Sequence, residues 1–486
     1  LQINFSDMEE RYIASVDLGT SKFGLCVARV KGDDVQIVYY KETPADGMKY
    51  SLVWNPLKAS VPLKKAIEDA EKELMIKILQ VVVGLPRNDV QQETASGKIE
   101  RPQPDEFITD EEVNNLKSLA VETYPLEDVG SQIMYGAVAQ SYSVDDQIQL
   151  VEDEVVGAIS SYIEGTFKVF IGNRKATTSM DKMFNTVNVA IAKKYFLPDV
   201  VAKAVLSEDE KQNGVALVDI GAGVTSVCIY YGGIMRSYAA IPFGGKSITG
   251  DIRSECSISE PLAENIKKRF GACIPSKLGT LSEKVLQLRV TDPIKEVSVK
   301  YISEIIDARS REILDAVLYF IQQSGFQNNL RSGIVLTGGG ARLANLGNLL
   351  KEMSGYEIRP GYPLHKFSTM VNNVYELSST AAIGMILAAK DDRLPDCATS
   401  PEKVEDEEEK TVEADVPVET ESAEAGQEDK NPDALFASEE MGPEKKKDKQ
   451  GRKPKQPKQP KQPKEQTGTI IWNKLNNWWN EMTKDE

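Results

Sequence analysis

Histidine is almost missing: His365 is the only one in 486 residues. A Ser-His-Asp triad or a histidine-ligated metal cluster has nearly nothing to be built from, and His365, close to Pro363 in a loop-like stretch, reads as structural. Cysteine is scarce too. The five cysteines (Cys26, Cys228, Cys256, Cys273, Cys397) are odd in number, scattered and never in a C-x-x-C pair, which argues against a disulfide framework or structural zinc and for a reducing cytoplasm. No apolar run reaches the roughly 18 residues of a membrane span, and the first residues lack the basic-then-apolar pattern of a signal peptide. The chain is therefore expected to be neither exported nor membrane-spanning. A net charge of −16 argues against a general nucleic-acid binder.

What is present changes character near Asp391. Before it, apolar runs alternate with helical patterns in the manner of a mixed α/β globule. After it hydrophobes nearly vanish until Thr469, and Pro401 to Glu440 holds 16 acidic residues against 3 basic ones, too charged to offset chain entropy by burial. From Lys445 to Lys464 the sign reverses, with a repeated Lys-Gln-Pro unit suited to extended geometry. The stretch 394–468 reads as a disordered spacer with an end-to-end distance on the order of 45 Å. Beyond it, on a helical wheel, Ile471, Trp472, Leu475, Trp478, Trp479 and Met482 fall within about 120°, opposite Asn473, Asn476, Asn477, Asn480 and Glu481. Within a globule such a stripe would be a core helix. Past a long spacer it reads as an amphipathic helix lying on a membrane surface, too short to cross it, with the Lys-rich spacer supplying attraction to anionic lipid.

The globular part contains an internal repeat. Tyr12 to Ser21 (YIASVDLGTS) is echoed by Val215 to Gly223 (VALVDIGAG), and each is followed by a second β-rich run. Each half thus begins strand, glycine-bearing turn, strand, with an aspartate closing the first strand. In the first turn Gly19 lets the backbone bend close to a ligand, the Thr20 and Ser21 hydroxyls can face phosphate oxygens, and Lys22 adds charge. Gly221, Ala222 and Gly223 form a second turn of the same kind, and Asp17 and Asp219 are placed to hold Mg²⁺ through water. One such turn alone would be an ordinary hairpin; two facing one cleft would grip phosphates from both sides. A third element, Gly338-Gly339-Gly340, follows the buried strand Ile334 to Thr337 and precedes an expected helix, whose N-terminus would favour a phosphate while the glycines pass flat against a base or ribose. It matches neither a P-loop nor a Rossmann fingerprint.

These three elements, in this order, resemble the phosphate-1, phosphate-2 and adenosine motifs of the actin, Hsp70 and sugar-kinase ATPase superfamily. Ile241 to Ile252 (IPFGGKSITGDI), followed by Ala263 to Lys267 (AENIK), more narrowly resembles the FtsA family of bacterial division proteins. The resemblance implies an α/β actin-like fold of two related halves, an inserted subdomain of the type called 1C, bound ATP and Mg²⁺, and Glu264 and Lys267 against ribose and adenine. Those two residues, three apart on a helix, could equally form a solvated ion pair. It further implies weak hydrolysis with no assignable catalytic base, filaments, attachment to the cytoplasmic face of the membrane at the division site through the terminal helix, and partners that include the C-terminal peptide of FtsZ, bound by the second half, and other division proteins. The expected division is 9–84 and 173–208 with 366–393 for domain 1A, 85–172 for the 1C-type insert, 209–365 for domain 2, 394–468 for the linker and 469–486 for the anchor. Glu154-Val155-Val156-Gly157-Ala158 replaces the family's Asp-Pro-x-Gly-Met, and Asn345 stands where many relatives have glycine. A sugar or carboxylate kinase and a pilus-assembly actin-like protein are the rival readings; an Hsp70-type chaperone would need a β-rich domain where this chain is low in complexity.

Overall fold

The computed structural model describes residues 10–145, 147–288 and 295–399. Strands β1 (Arg11–Leu18), β2 (Lys22–Lys31) and β3 (Asp34–Pro44) form an antiparallel meander. Helix α1 (Pro56–Leu74) follows; Asn55 caps it by accepting from Lys58 N at 3.0 Å, and Pro56 suits its first turn. Strand β4 (Gln80–Gly84) then lies parallel to β1.

Next comes a separate antiparallel layer, built from β5 (Gln91–Glu100), α2 (Asp110–Glu122), β6 (Gln132–Val144), β7 (Gln147–Leu150) and β8 (Tyr162–Asn173), with strand order β7-β6-β8-β5. It has its own core of Ile108, Val113, Leu116, Tyr142, Ile163 and Phe167. Thr109 and Glu112 cap α2 reciprocally. Gly157 keeps a left-handed φ of 87° where the sequence departs from the family pattern.

The chain returns through α3 (Arg174–Thr186) to β9 (Ala190–Tyr195), which pairs in parallel with β4, then passes through α4 (Leu197–Val205) and α5 (Glu208–Asn213). The second half repeats the opening meander: β10 (Val215–Ile220), β11 (Thr225–Tyr231) and β12 (Ile234–Ile241), joined at Gly232-Gly233 with both φ positive. Helices α6 (Gly245–Cys256), α7 (Glu260–Phe270) and α8 (Val299–Gln323) follow. Strand β13 (Ile334–Thr337) lies parallel to β10 as β4 does to β1, and α9 (Leu346–Ser354) leads to β14 (Ile358–Pro360). Strand β15 (Ser368–Thr369) returns to β3, and α10 (Thr380–Asp391) packs on the first sheet. All six residues of β10 are buried, as expected of a strand covered on both faces.

Residues 394–399, which the sequence places in the linker, belong to the fold. Ala398 and Thr399 pair with Ile78 and Lys77, and Cys397 N donates to Tyr12 O at 2.8 Å. The low-complexity composition begins only after this clasp. The rest of the expected linker and the whole terminal anchor lie outside the described residues. All five cysteines are buried and free, and among the described residues no helix is long and apolar enough to cross a membrane.

Helix α10 is apolar all round and rich in small residues, which brings it against α4. A Cβ on Gly384 would overlap the carbonyl of Val200. Gly384→Val is therefore expected to cost about 3 kcal/mol through overpacking, read as a lowered melting temperature; an unchanged melt would show that the two helices can part freely.

Candidate functional site: the cleft between two glycine turns

The pairing of β1 with β2 sets Asp17 opposite Gly24, and β10 with β11 sets Asp219 opposite Ser226, so each half delivers an aspartate to the end of its first strand. Both turns then close in the same way. A Cβ on Gly19 would stand 2.6 Å from Lys22 O, and one on Gly221 2.8 Å from Val224 O; Gly221 N donates to that Val224 carbonyl at 2.8 Å. The turns face each other directly: a Cβ on Gly223 would lie 2.6 Å from Thr20 Oγ1. Thr20 Oγ1 is itself held, accepting from Ser51 N at 2.8 Å.

The third glycine element lies beside them. Gly338, at φ 86°, has no room for a side chain between Asp219 Oδ1 and Ile220 O. Gly340 stands against Ile220 and Gly221. The helix expected after these glycines starts later than a contact at the glycines needs: Gly339–Arg342 is a single 3₁₀ turn, and α9 starts at Leu346 after Asn345. No α-helix N-terminus points from the glycine run. The small residues at 338–341 allow a tight turn, and the chain restarts at Asn345 with φ 64°, a left-handed value that asparagine tolerates in place of glycine. The helix that opens at the site is α6, tied to the second turn by Gly245 N to Gly221 O at 3.0 Å and Lys246 N to Ala222 O at 2.7 Å.

Glu264 and Lys267 do reach this region. Lys267 Nζ bonds Glu264 at 2.7 Å, Gly245 O at 2.7 Å and Thr249 Oγ1 at 2.8 Å. Its side chain is 13% exposed and that of Glu264 33%, so the pair is partly buried. Burial pushes the Lys267 ammonium down; Glu264 is also pushed up by burial, but Lys267 and Thr249 outweigh this and hold it below the usual carboxylate range.

Two charged groups escape a reading along the sequence. Glu42 accepts from Lys22 Nζ at 2.5 Å, Ser378 Oγ at 2.7 Å and Tyr40 Oη at 3.0 Å; the lysine expected to meet a phosphate is thus partnered by a carboxylate. Register was the available signal, since Asp17, Gly24 and Glu42 form one cross-strand row. The second is Arg87, three residues beyond β4. Its guanidinium is bonded to Asp219 Oδ2 and stands 3.6 Å from Asp17 Oδ1, with side-chain exposures of 10% for Arg87, 19% for Asp17 and 7% for Asp219. Burial works against the arginine's charge, but Asp219 and Asp17 outweigh it and raise its pKa. At Asp17 burial pushes the carboxyl up, against the pull of Arg87. The end of a parallel strand beside β1 was the place to look. The two aspartates expected to hold Mg²⁺ therefore face a guanidinium, and among the described residues no group of three or more His, Cys, Asp or Glu side chains is set to hold a metal.

Two repeated sheets, each with an aspartate-bearing glycine turn over one cleft, define an actin-like protein. The PilM-PilN type IV pilus biogenesis complex contains a chain of this fold, with a TM-score of 0.54 and 15% identity, covering 78% of this chain and 98% of that one. A family model described as "Cell division protein FtsA" matches residues 216–384. The cell division protein FtsA of Neisseria meningitidis serogroup B is 29% identical over 388 residues, 79% of this chain and 91% of its own length, and that of Escherichia coli strain K12 is 25% identical over 395 residues, covering 79% and 92%. Over about four fifths of its length the chain is similar to FtsA cell division proteins.

Proposed function

We propose that the chain binds ATP in this cleft, assembles into filaments on the cytoplasmic face of the membrane and tethers the division ring to it. The observation that carries the reading is the meeting of the two turns, Gly223 against Thr20, with Gly338 to Gly340 beside them. Backbone N–H groups and hydroxyls at 19–22 and 221–223 would surround the phosphates. Gly338 to Gly340, with Glu264 and Lys267, would lie against the nucleoside. Magnesium would accompany the nucleotide, with Asp17 and Asp219 its candidate carboxylates. The antiparallel layer of 91–173 corresponds to the 1C-type insert and would supply a protomer contact. It is tied to the second half: Gln140 Nε2 donates to Met235 O at 2.9 Å and Tyr238 N to Gln92 Oε1 at 2.8 Å. The amphipathic segment 469–486 would bind lipid, and the second half would take the C-terminal peptide of FtsZ, with other division proteins as further partners.

The test is electron microscopy of the purified chain on lipid vesicles with ATP. Filaments are expected with the full chain. Deletion of residues 92–169, which keeps Arg87 and Phe170 and joins neighbouring points of the paired strands, is expected to leave a folded protein that still binds ATP but forms none; normal filaments from the deletion would remove the insert from the assembly. Phosphorylation of a small sugar or carboxylate substrate in a coupled assay would favour the kinase reading instead.

A further inference from the structure

We infer that Arg87 is the resident cation of this cleft, holding Asp17 and Asp219 together in place of a divalent ion. The two carboxylates come from different halves of the protein and converge at a mostly buried point, where unscreened like charges repel strongly. One positive group lies between them. The planar fork of arginine offers separate nitrogens to separate carboxylates: one faces Asp219 and the other stands 3.6 Å from Asp17. The residue is also fixed from the far side, because Tyr238 Oη on β12 donates to Arg87 O at 2.6 Å. Phe170, Phe196 and Tyr238 pack behind it with ring centroids 4.5–6.1 Å apart. Arg87 is thus a built strut between the halves.

As arranged, the aspartate pair does not fit a divalent ion, since an ion touching both carboxylates needs the place the guanidinium holds. Uptake of such an ion requires Arg87 to leave, and a polyphosphate is the kind of anion that competes for a guanidinium through the same paired hydrogen bonds. If the cleft takes a nucleotide, as proposed above, divalent ions enter with it and not before it. Arg87 is then a positioning residue that sets the order of loading.

The test uses Mn²⁺ alone as the probe, with the full chain stripped of nucleotide, and reads free Mn²⁺ by electron paramagnetic resonance. Arg87→Met is expected to bind one Mn²⁺ at least about tenfold more tightly than the wild type. The double variant Arg87→Met/Asp219→Asn is expected to fall back to the wild-type level, which separates this site from uptake by the acidic stretch 401–440. Equal Mn²⁺ binding by wild type and Arg87→Met, whether tight or weak, would overturn the inference, as would an unchanged gain in the double variant. Should Arg87→Met lose its thermal transition, Arg87→Lys gives the comparison: a single ammonium reaches one carboxylate at a time, and binding about threefold tighter than wild type is expected. Equality there would overturn the inference as well. ATP titration of the wild type is a separate measurement. Its failure would remove the nucleotide reading and leave the Mn²⁺ comparison standing.

Discussion

Gly223→Val is expected to lower ATP affinity by about a hundredfold, or about 2.7 kcal/mol, while shifting the melting temperature by only a few degrees. The reason is geometric. The first carbon of any side chain at 223 would stand 2.6 Å from Thr20 Oγ1 and 2.9 Å from Thr20 Cγ2. Thr20 cannot simply rotate aside, because its hydroxyl accepts from Ser51 N and its branched side chain has few rotamers. Valine would hold the two turns apart, and a phosphate chain seated on one turn would lose the donors of the other. Isothermal titration with ATP checks the affinity, and a thermal melt separates it from unfolding. Gly223→Ala should give a smaller loss of the same sign, since it adds only the first carbon. Wild-type affinity in the valine variant would show that the turns do not grip a common ligand.

That site was half legible in the sequence, and the divide follows how far apart the contributing residues lie. Asp17 with Gly19, and Asp219 with Gly221, sit on one strand end and its turn, so a local pattern repeated once was enough to set them beside each other. Strand Ile334–Thr337 and the hairpin Gly232-Gly233 were visible for the same reason. Arg87 and Glu42 were not. Arg87 meets Asp219 across 132 residues, and Ser378 meets Glu42 across 336; such partnerships arise only when two sheets and a returning helix are packed. The helix expected after Gly338-Gly339-Gly340 begins only at Leu346, for another reason. Composition alone does not separate a 3₁₀ turn from the first turn of an α-helix, and the deciding feature is the left-handed Asn345 beyond it.

The connection through Tyr238 bears on assembly. Strand β12 reaches the cleft through Tyr238 Oη on Arg87 O, and it reaches the insert through Met235 O on Gln140 and through Arg236 Nη1, which donates to Gln140 O at 3.0 Å. A displacement of Arg87 by nucleotide would thus be felt on the strand that supports the insert. Tyr238→Phe keeps the ring packing and removes only the hydroxyl bond to Arg87. It is expected to leave ATP affinity within about threefold while weakening the dependence of filament formation on ATP, checked by pelleting with and without nucleotide. Unchanged dependence would place the coupling elsewhere.

Trp478→Glu is expected to release the protein from lipid vesicles almost completely, with ATP affinity unchanged. The argument rests on the sequence, since residue 478 lies outside the described residues. On a helical wheel Trp478 falls at one edge of a stripe with Ile471, Trp472, Leu475, Trp479 and Met482, and in such a helix a carboxylate there would have to enter the apolar side of the interface or pull the stripe out of it. Full burial of each large apolar side chain would contribute about 1.5–3 kcal/mol. At an interface burial is partial, and ordering the segment costs entropy, so one anchor would bind weakly and reversibly. A filament would present many anchors at once, and each after the first would bind at a high effective concentration. Loss of affinity in one anchor is multiplied along the filament, which is why a single substitution should act nearly as a deletion of 469–486. Trp478→Phe, which keeps an aromatic face, should retain most of the binding. Flotation of Trp478→Glu with vesicles at the wild-type level would mean that another surface carries the attachment, and the anchor reading would be abandoned.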